Sequence, residues 1–240
     1  MLRRVKKLIR ENRQYHQDNY LLLQELNWAD VFHDSIRGFD WLEKLPLNIG
    51  RWAGGYNFFY VLVRILNDYR PSRILELGLG ESSKLISVFA ENNPETELHT
   101  IIEEDIEWKL NFEKNHRLSK SSIIEICPAK EIIVNGFETK VFSGIKEKLE
   151  LPYDFYVIDG PKGSERYSRY DIVNIAGNFK SNEEFVILFD DAQRTGEKDT
   201  IAELIELFNK KGIPMKVGAF IGLKKVMVLA TEKYRHVITI

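Results

Sequence analysis

The sequence holds a single cysteine, Cys127, among its 240 residues. One thiol cannot close an internal disulfide, and it excludes zinc and iron–sulfur sites built from several cysteines. Strong charge of either sign is missing too: 34 lysines and arginines stand against 36 acids, a net of −2. Such a chain has no global positive field to hold a nucleic acid backbone, so nucleic acid is not expected as a partner. No apolar run approaches the ~20 residues that span a bilayer, and the basic start lacks the apolar core and cleavage site of a signal peptide. The chain therefore reads as soluble and cytoplasmic. The five histidines, at 16, 33, 99, 116 and 236, are scattered without metal-ligand spacing.

What is present is apolar and aromatic mass, 44% and 12% of residues, enough for one well-filled α/β domain with an N-terminal extension. The extension is placed at residues 1–55, as a lid or oligomer contact, and the domain at 56–240. Residues 1–26 pattern as a helix with Leu2, Val5, Leu8 and Ile9 on one stripe and Arg3, Arg4, Lys6, Lys7 and Arg10 around it. A solvated basic face is the simplest reading; attachment to a membrane surface is the alternative. Leu21 to Leu23 and Leu26 then need a partner, either the main domain or a second subunit. Residues 27–55 read as irregular and aromatic, with Trp41 and Trp52 expected in the core rather than on an acceptor wall. A helix follows from Tyr56 to Tyr69 and is stopped by Pro71.

The chemistry begins at Ile74 to Ser83. A short buried strand runs into Gly78 and Gly80, and Ser82 and Ser83 are placed to cap a helix. Glycines let a ligand lie against main chain, and the helix N-terminus offers free N–H groups to a carboxylate, ribose oxygen or phosphate. Leu98 to Ile102 forms a second strand whose tip carries Glu103. An acid there, some twenty residues past the glycines, is placed to accept the hydroxyl hydrogens of an adenosine ribose. Ile123 to Cys127 is a third strand, but the loop after it, Pro128-Ala129-Lys130, offers no acid for adenine. Asn135-Gly136 marks a hairpin.

Two further buried strands end in acids. One delivers Asp159, with Lys162 three residues on; the other, from Phe185, delivers Asp190 and Asp191. Helices expected at 85–91, 168–178 and 197–211 make these strands parallel, which gathers their acids at one sheet edge. Three carboxylates so close repel one another and call for a cation, and all-oxygen ligation favours Mg2+ or Mn2+ at Asp159, Asp190 and Asp191. The last strands, Met215 to Phe220 and Val226 to Ala230, are too close for a helical crossover and must pair antiparallel.

Glu76-x-Gly78-x-Gly80 resembles motif I of class I S-adenosylmethionine-dependent methyltransferases, with Ser82 where a third glycine is common. The resemblance implies a Rossmann-like class I methyltransferase sheet, parallel with a C-terminal antiparallel hairpin, plus the N-terminal helical extension. It also implies S-adenosylmethionine as cofactor, with Glu76 organising the pocket for its amino acid moiety. Gly78, Gly80, Ser82, Ser83 and Glu103 become cofactor contacts, and so does Tyr56, because its helix begins beside the cofactor in that family. Asp159, Lys162, Asp190 and Asp191 resemble the metal site and base of catechol-type O-methyltransferases, which makes Asp159 and Lys162 the expected catalytic residues. The same stretches, Asp159 to Gly163 and Asp191 with Arg194, resemble plant methyltransferases acting on glucuronic acid side chains of xylan. There Lys162 and Arg194 would hold an anionic or polyhydroxyl acceptor. Both resemblances imply O-methylation of a small-molecule or saccharide hydroxyl. A homodimer is the assembly that a second subunit over Leu21 to Leu23 and Leu26 would make. An NAD(P)-dependent oxidoreductase is the enzymatic rival, weakened by Glu76, Ser83 and the closing hairpin. A non-catalytic binding domain on the same scaffold is the other.

Overall fold

The computed structural model of the chain describes residues 2–150 and 152–240. It opens with α1 (Leu2–Ser35), a short α2 (Asp40–Glu43) and α3 (Tyr56–Tyr69). The α/β portion then runs β1 (Arg73–Leu77), α4 (Glu81–Asn92), β2 (Leu98–Glu103), α5 (Ile106–Asn115) and β3 (Ser122–Ile126). The hairpin β4 (Ala129–Val134) and β5 (Phe137–Phe142) intervenes before β6 (Phe155–Ile158), α6 (Asp171–Ala176), β7 (Val186–Phe189), α7 (Thr195–Lys210), β8 (Lys216–Ile221) and β9 (Lys225–Ala230).

Seven strands form one sheet in the order β3-β2-β1-β6-β7-β9-β8. Pairing is parallel from β3 through β7, while β9 runs antiparallel to both β7 and β8. The carboxyl ends of β1, β2, β6 and β7 therefore share one edge, and the turn entering β9 lies on that same edge. Alternation along the central strands sends Ile74, Phe155, Val157, Val186 and Leu188 to one face, against α3, α4 and the second half of α1. Leu75, Leu77, Tyr156, Ile158, Ile187 and Phe189 go to the other face, under α6 and α7. Strands buried on both faces are continuous apolar runs, as these are. The β4–β5 hairpin turns at Asn135 and Gly136, both at positive φ (50° and 83°), as its two-residue loop requires.

Two elements depart from expectation. Residues 27–35 are helical, not irregular: α1 continues so that Phe32 is buried and Trp28 donates its indole N–H to the Ile221 carbonyl at 2.8 Å. A further helix, α5, is not among those expected; it is N-capped by Asp105, which accepts the amides of Glu107 and Trp108. Toward its start α1 leaves the domain, and Val5, Leu8, Ile9, Leu22, Leu23 and Leu26 are all exposed. No described helix is long and apolar enough to cross a membrane.

Candidate functional site

Gly78 has φ +104°, and a Cβ there would lie 3.1 Å from the Gly160 nitrogen; a Cβ on Gly160 would lie 2.9 Å from Gly78 in turn. The turns after β1 and β6 thus touch through bare main chain, which only glycine at both positions permits. Gly80 has open space around it. Its amide donates to the Ser83 hydroxyl at 3.0 Å, so Ser83 secures the first turn of α4 while being wholly buried.

Glu76 and Ser82 are engaged with each other. The Ser82 hydroxyl donates to the Glu76 carboxylate, whose other oxygen meets His99 Nε2 at 3.0 Å, and all three side chains are buried. Glu76 therefore shapes the turn from beneath and lines neither cavity of the site, whereas Ser82 borders the larger one. Glu103 accepts the amides of Leu79 at 3.0 Å, Glu104 at 2.8 Å and Asp105 at 2.9 Å. Desolvation raises its pKa against the opposing pull of those three amides.

Two cavities open along this edge. The smaller, about 210 Å³, is lined by Gly78, Leu79, Glu103, Phe142, Asp159 and Lys162 among others. The larger, about 580 Å³, lies between Leu79 to Ser82 and the segment from Asn48 to Gly54, with Trp108 at its side. Leu79 and Asp159 line both. Trp108 donates its indole N–H to the Leu79 carbonyl at 2.8 Å, and the Asn48 amide donates to Glu81 at 2.9 Å, which ties the overhanging segment to α4. Trp41 packs in the core beside Phe89, but Trp52 does not: it is 96% exposed on the cavity wall. Tyr56 packs its ring between Phe32 and His33 and is not among the cavity-lining residues.

The sheet edge does gather Asp159, Asp190 and Asp191, each with a carboxylate oxygen within 4.8 Å of the others. It also brings cations. Arg169, 4% exposed at its side chain, donates one guanidinium nitrogen to Asp159 Oδ1 at 2.9 Å and to Asp191 Oδ2 at 3.2 Å. Its other terminal nitrogen reaches the Asp190 carbonyl at 2.8 Å. Lys224 Nζ meets Asp190 Oδ2 at 3.0 Å, Asp191 Oδ1 at 3.6 Å and the Ala53 carbonyl at 2.9 Å. Arg194 meets Asp191 Oδ2 at 2.9 Å from the exposed side, and buried Glu197 lies 3.6 Å from Arg169 Nε. Burial works against the Lys224 ammonium, but Asp190 and Asp191 outweigh it and raise its pKa. Desolvation raises the pKa of Asp159 and of Asp190. Asp159 remains a quarter exposed and faces the cavities; Asp190 and Asp191 do not.

No protein-family model matches the sequence, and no curated protein is detectably similar to it. Solved structures are similar in architecture. A candidate O-methyltransferase from Klebsiella pneumoniae superposes over 89% of this chain and 89% of its own, with TM-score 0.51 and 12% identity. A candidate caffeoyl-CoA O-methyltransferase from Staphylococcus aureus covers 87% of this chain and 99% of its own, with TM-score 0.50 and 16% identity. The fold is that of the class I methyltransferases. Within this methyltransferase sheet, Gly78, Gly80, Ser82, Glu103, Asp159 and Lys162 border the crevice, Glu76 and Ser83 brace it from below, and Tyr56 stands apart. The Asn48 to Gly54 wall belongs to the segment expected as a lid, whereas nothing in the sequence singles out Arg169, Lys224 or Trp108. Lys224 was discoverable in principle, because an antiparallel β9 beside β7 returns the chain to the acidic edge at the residue before Lys225.

Proposed function

We propose that the protein transfers a methyl group from S-adenosylmethionine to an oxygen of a small-molecule or saccharide acceptor. The single observation carrying this reading is the position of Asp159 at the junction of two cavities, one beside Glu103 and the glycine turn, the other walled by Trp52, Trp108 and the Asn48 to Gly54 segment. Adenosine fits the smaller space, with its ribose hydroxyls donating to Glu103. The amino acid moiety fits against Gly80 and the first turn of α4, whose N–H groups favour a carboxylate. The sulfonium then faces Asp159, and the acceptor enters the larger space from Trp52.

In such a crevice the protein's task is alignment: acceptor oxygen, methyl carbon and sulfur must lie in line. Asp159 is the group that takes the acceptor proton, since it is the acid of the cluster open to the cavity. Lys162, exposed on the rim of the smaller cavity, supplies positive charge to an anionic group on cofactor or acceptor rather than serving as the base.

The test is calorimetry with S-adenosylhomocysteine against NAD, followed by transfer of labelled methyl from S-adenosylmethionine to a library of hydroxylated acceptors. Binding of S-adenosylhomocysteine and not NAD, with labelled product lost in Asp159→Asn while cofactor affinity stays, is the expected result. Preference for NAD ends the reading.

A further inference from the structure

Catechol-type O-methyltransferases, which the acidic motifs resemble, use a divalent ion, and here it would have to be held by the oxygens of Asp159, Asp190 and Asp191. Asp159 Oδ1 and Asp191 Oδ2 both accept from one Arg169 nitrogen. Asp190 Oδ2 and Asp191 Oδ1 both face Lys224 Nζ. One oxygen of the three acids, Asp190 Oδ1, is buried without a partner. A hard divalent ion needs about six oxygen ligands and offers no tolerance for an ammonium or guanidinium among them. The donor set does not fit: four of the oxygens that would converge on an ion already face Arg169 or Lys224, and Arg194 meets Asp191 Oδ2 as well. The charge matches as well: Arg169 and Lys224 carry the two positive charges an Mg2+ or Mn2+ would bring, and the flanking Arg194 and Glu197 offset one another.

We propose that Arg169 and Lys224 stand in place of the divalent ion, so that methyl transfer at this site proceeds without metal. The inference rests on the methyl-transfer reading above for its reaction but not for its electrostatics. With no ion on the acceptor, the hydroxyl is activated by Asp159 alone. The acceptor O–H proton passes to the Asp159 carboxylate, and the oxygen electron pair forms the new C–O bond. The S–C bond of the sulfonium breaks, leaving neutral S-adenosylhomocysteine. Arg169 and Lys224 are positioning residues here. Lys224 keeps Asp190 and Asp191 compensated, and Arg169 holds Asp159 by one oxygen so that its other oxygen faces the acceptor.

The deciding experiment is titration of the full chain with Mn2+, followed by electron paramagnetic resonance and by thermal unfolding. The wild-type protein is expected to bind no Mn2+ at about 1 mM, the weak end of specific affinity, and its S-adenosylhomocysteine affinity is expected to be unmoved by EDTA. Lys224→Gln, which strips one cation from the cluster, is expected to bind Mn2+ at least about tenfold more tightly than wild type and to regain lost thermal stability when the ion is added. Wild-type binding of Mn2+ that Asp190→Asn abolishes would overturn the proposal, and so would a folded Lys224→Gln protein with no gain in Mn2+ affinity. Should the variant not fold, the wild-type titration still decides. Failure to bind S-adenosylhomocysteine removes the methyl-transfer reading, while the Mn2+ result stands by itself.

Discussion

Glu25, in the second half of α1, accepts the backbone amide of Leu223 at 3.0 Å, a residue 198 positions later. Its other oxygen accepts the Tyr56 amide at 2.8 Å, at the N-terminus of α3. Gly55 and Gly222 leave room for that carboxylate: a Cβ on Gly222 would come within 2.5 Å of it. Asn57 completes the clasp by donating to the Phe220 and Lys224 carbonyls, both at 2.9 Å. The turn that presents Lys224 to the acids is thus held by the helix that begins the chain.

Glu25→Ala should lower stability by about 1 kcal/mol, since the partly buried Tyr56 amide loses its acceptor while the exposed Leu223 amide can turn to water. Glu25→Gln, which keeps an acceptor oxygen, should lose less. Urea unfolding compares the three proteins, and an alanine variant as stable as wild type would show that the clasp contributes nothing.

Gly78 and Gly80 should respond differently to alanine. Gly78→Ala forces a side chain into left-handed backbone against Gly160, and is expected to cost more than about 1 kcal/mol of stability. Gly80→Ala meets nothing within 4 Å, so stability should hold within about 0.5 kcal/mol. If the cofactor lies against this turn, Gly80→Ala will nevertheless weaken S-adenosylhomocysteine binding in calorimetry. Unchanged affinity would place the cofactor elsewhere.

For Glu103, alanine removes the acceptor of the Leu79, Glu104 and Asp105 amides as well as any ribose contact. Both thermal stability and cofactor affinity should fall, the latter by about 1–3 kcal/mol. A stability loss with intact affinity would restrict Glu103 to bracing the turn.

Asp171 gives the pH dependence. It is 1% exposed, accepts the Phe142 amide at 3.1 Å, and desolvation pushes its carboxyl up to about 7, against 3.8 for an ordinary aspartate. A folded-state value above the unfolded one means the native protein binds the extra proton between these limits, so this group lowers stability as pH rises from about 4 to 7 and costs most above 7. Asp171→Asn keeps an acceptor for Phe142 without the charge. It should gain on the wild type, by an amount on the order of 2–4 kcal/mol, between pH 4 and pH 8. Parallel stability curves for the two proteins over that range would refute the assignment.

Much of this architecture was legible because its strands are apolar runs ended by glycine or acid, and because the spacing between β8 and β9 leaves no room for a crossover. Two helices were obscured for opposite reasons. In α1, Trp28 and Phe32 lie four apart on one face, but the surrounding aromatics hid the period, and only contact with α3 and β8 reveals it. In α5, Ile106, Trp108 and Leu110 face outward and Phe112 is the buried residue, so no amphipathic stripe exists to be read. The acids of the site were readable as strand tips. Their counterions were harder to read: Arg169 sits in a loop that no sequence pattern ties to an acid, and Lys224 follows only once β9 is known to pair with β7.

The position of β9 between β7 and β8 has a consequence during synthesis. Asp190 and Asp191 emerge from the ribosome before Lys224, and the strand that carries the chain past that lysine must slot beside β7, not at the rim. Until then a nascent chain would have to bury two aspartates with Arg169 as their main buried counterion, an unfavourable state. The sheet is therefore expected to close late, only once β8 and β9 have emerged and Lys224 can reach the acids.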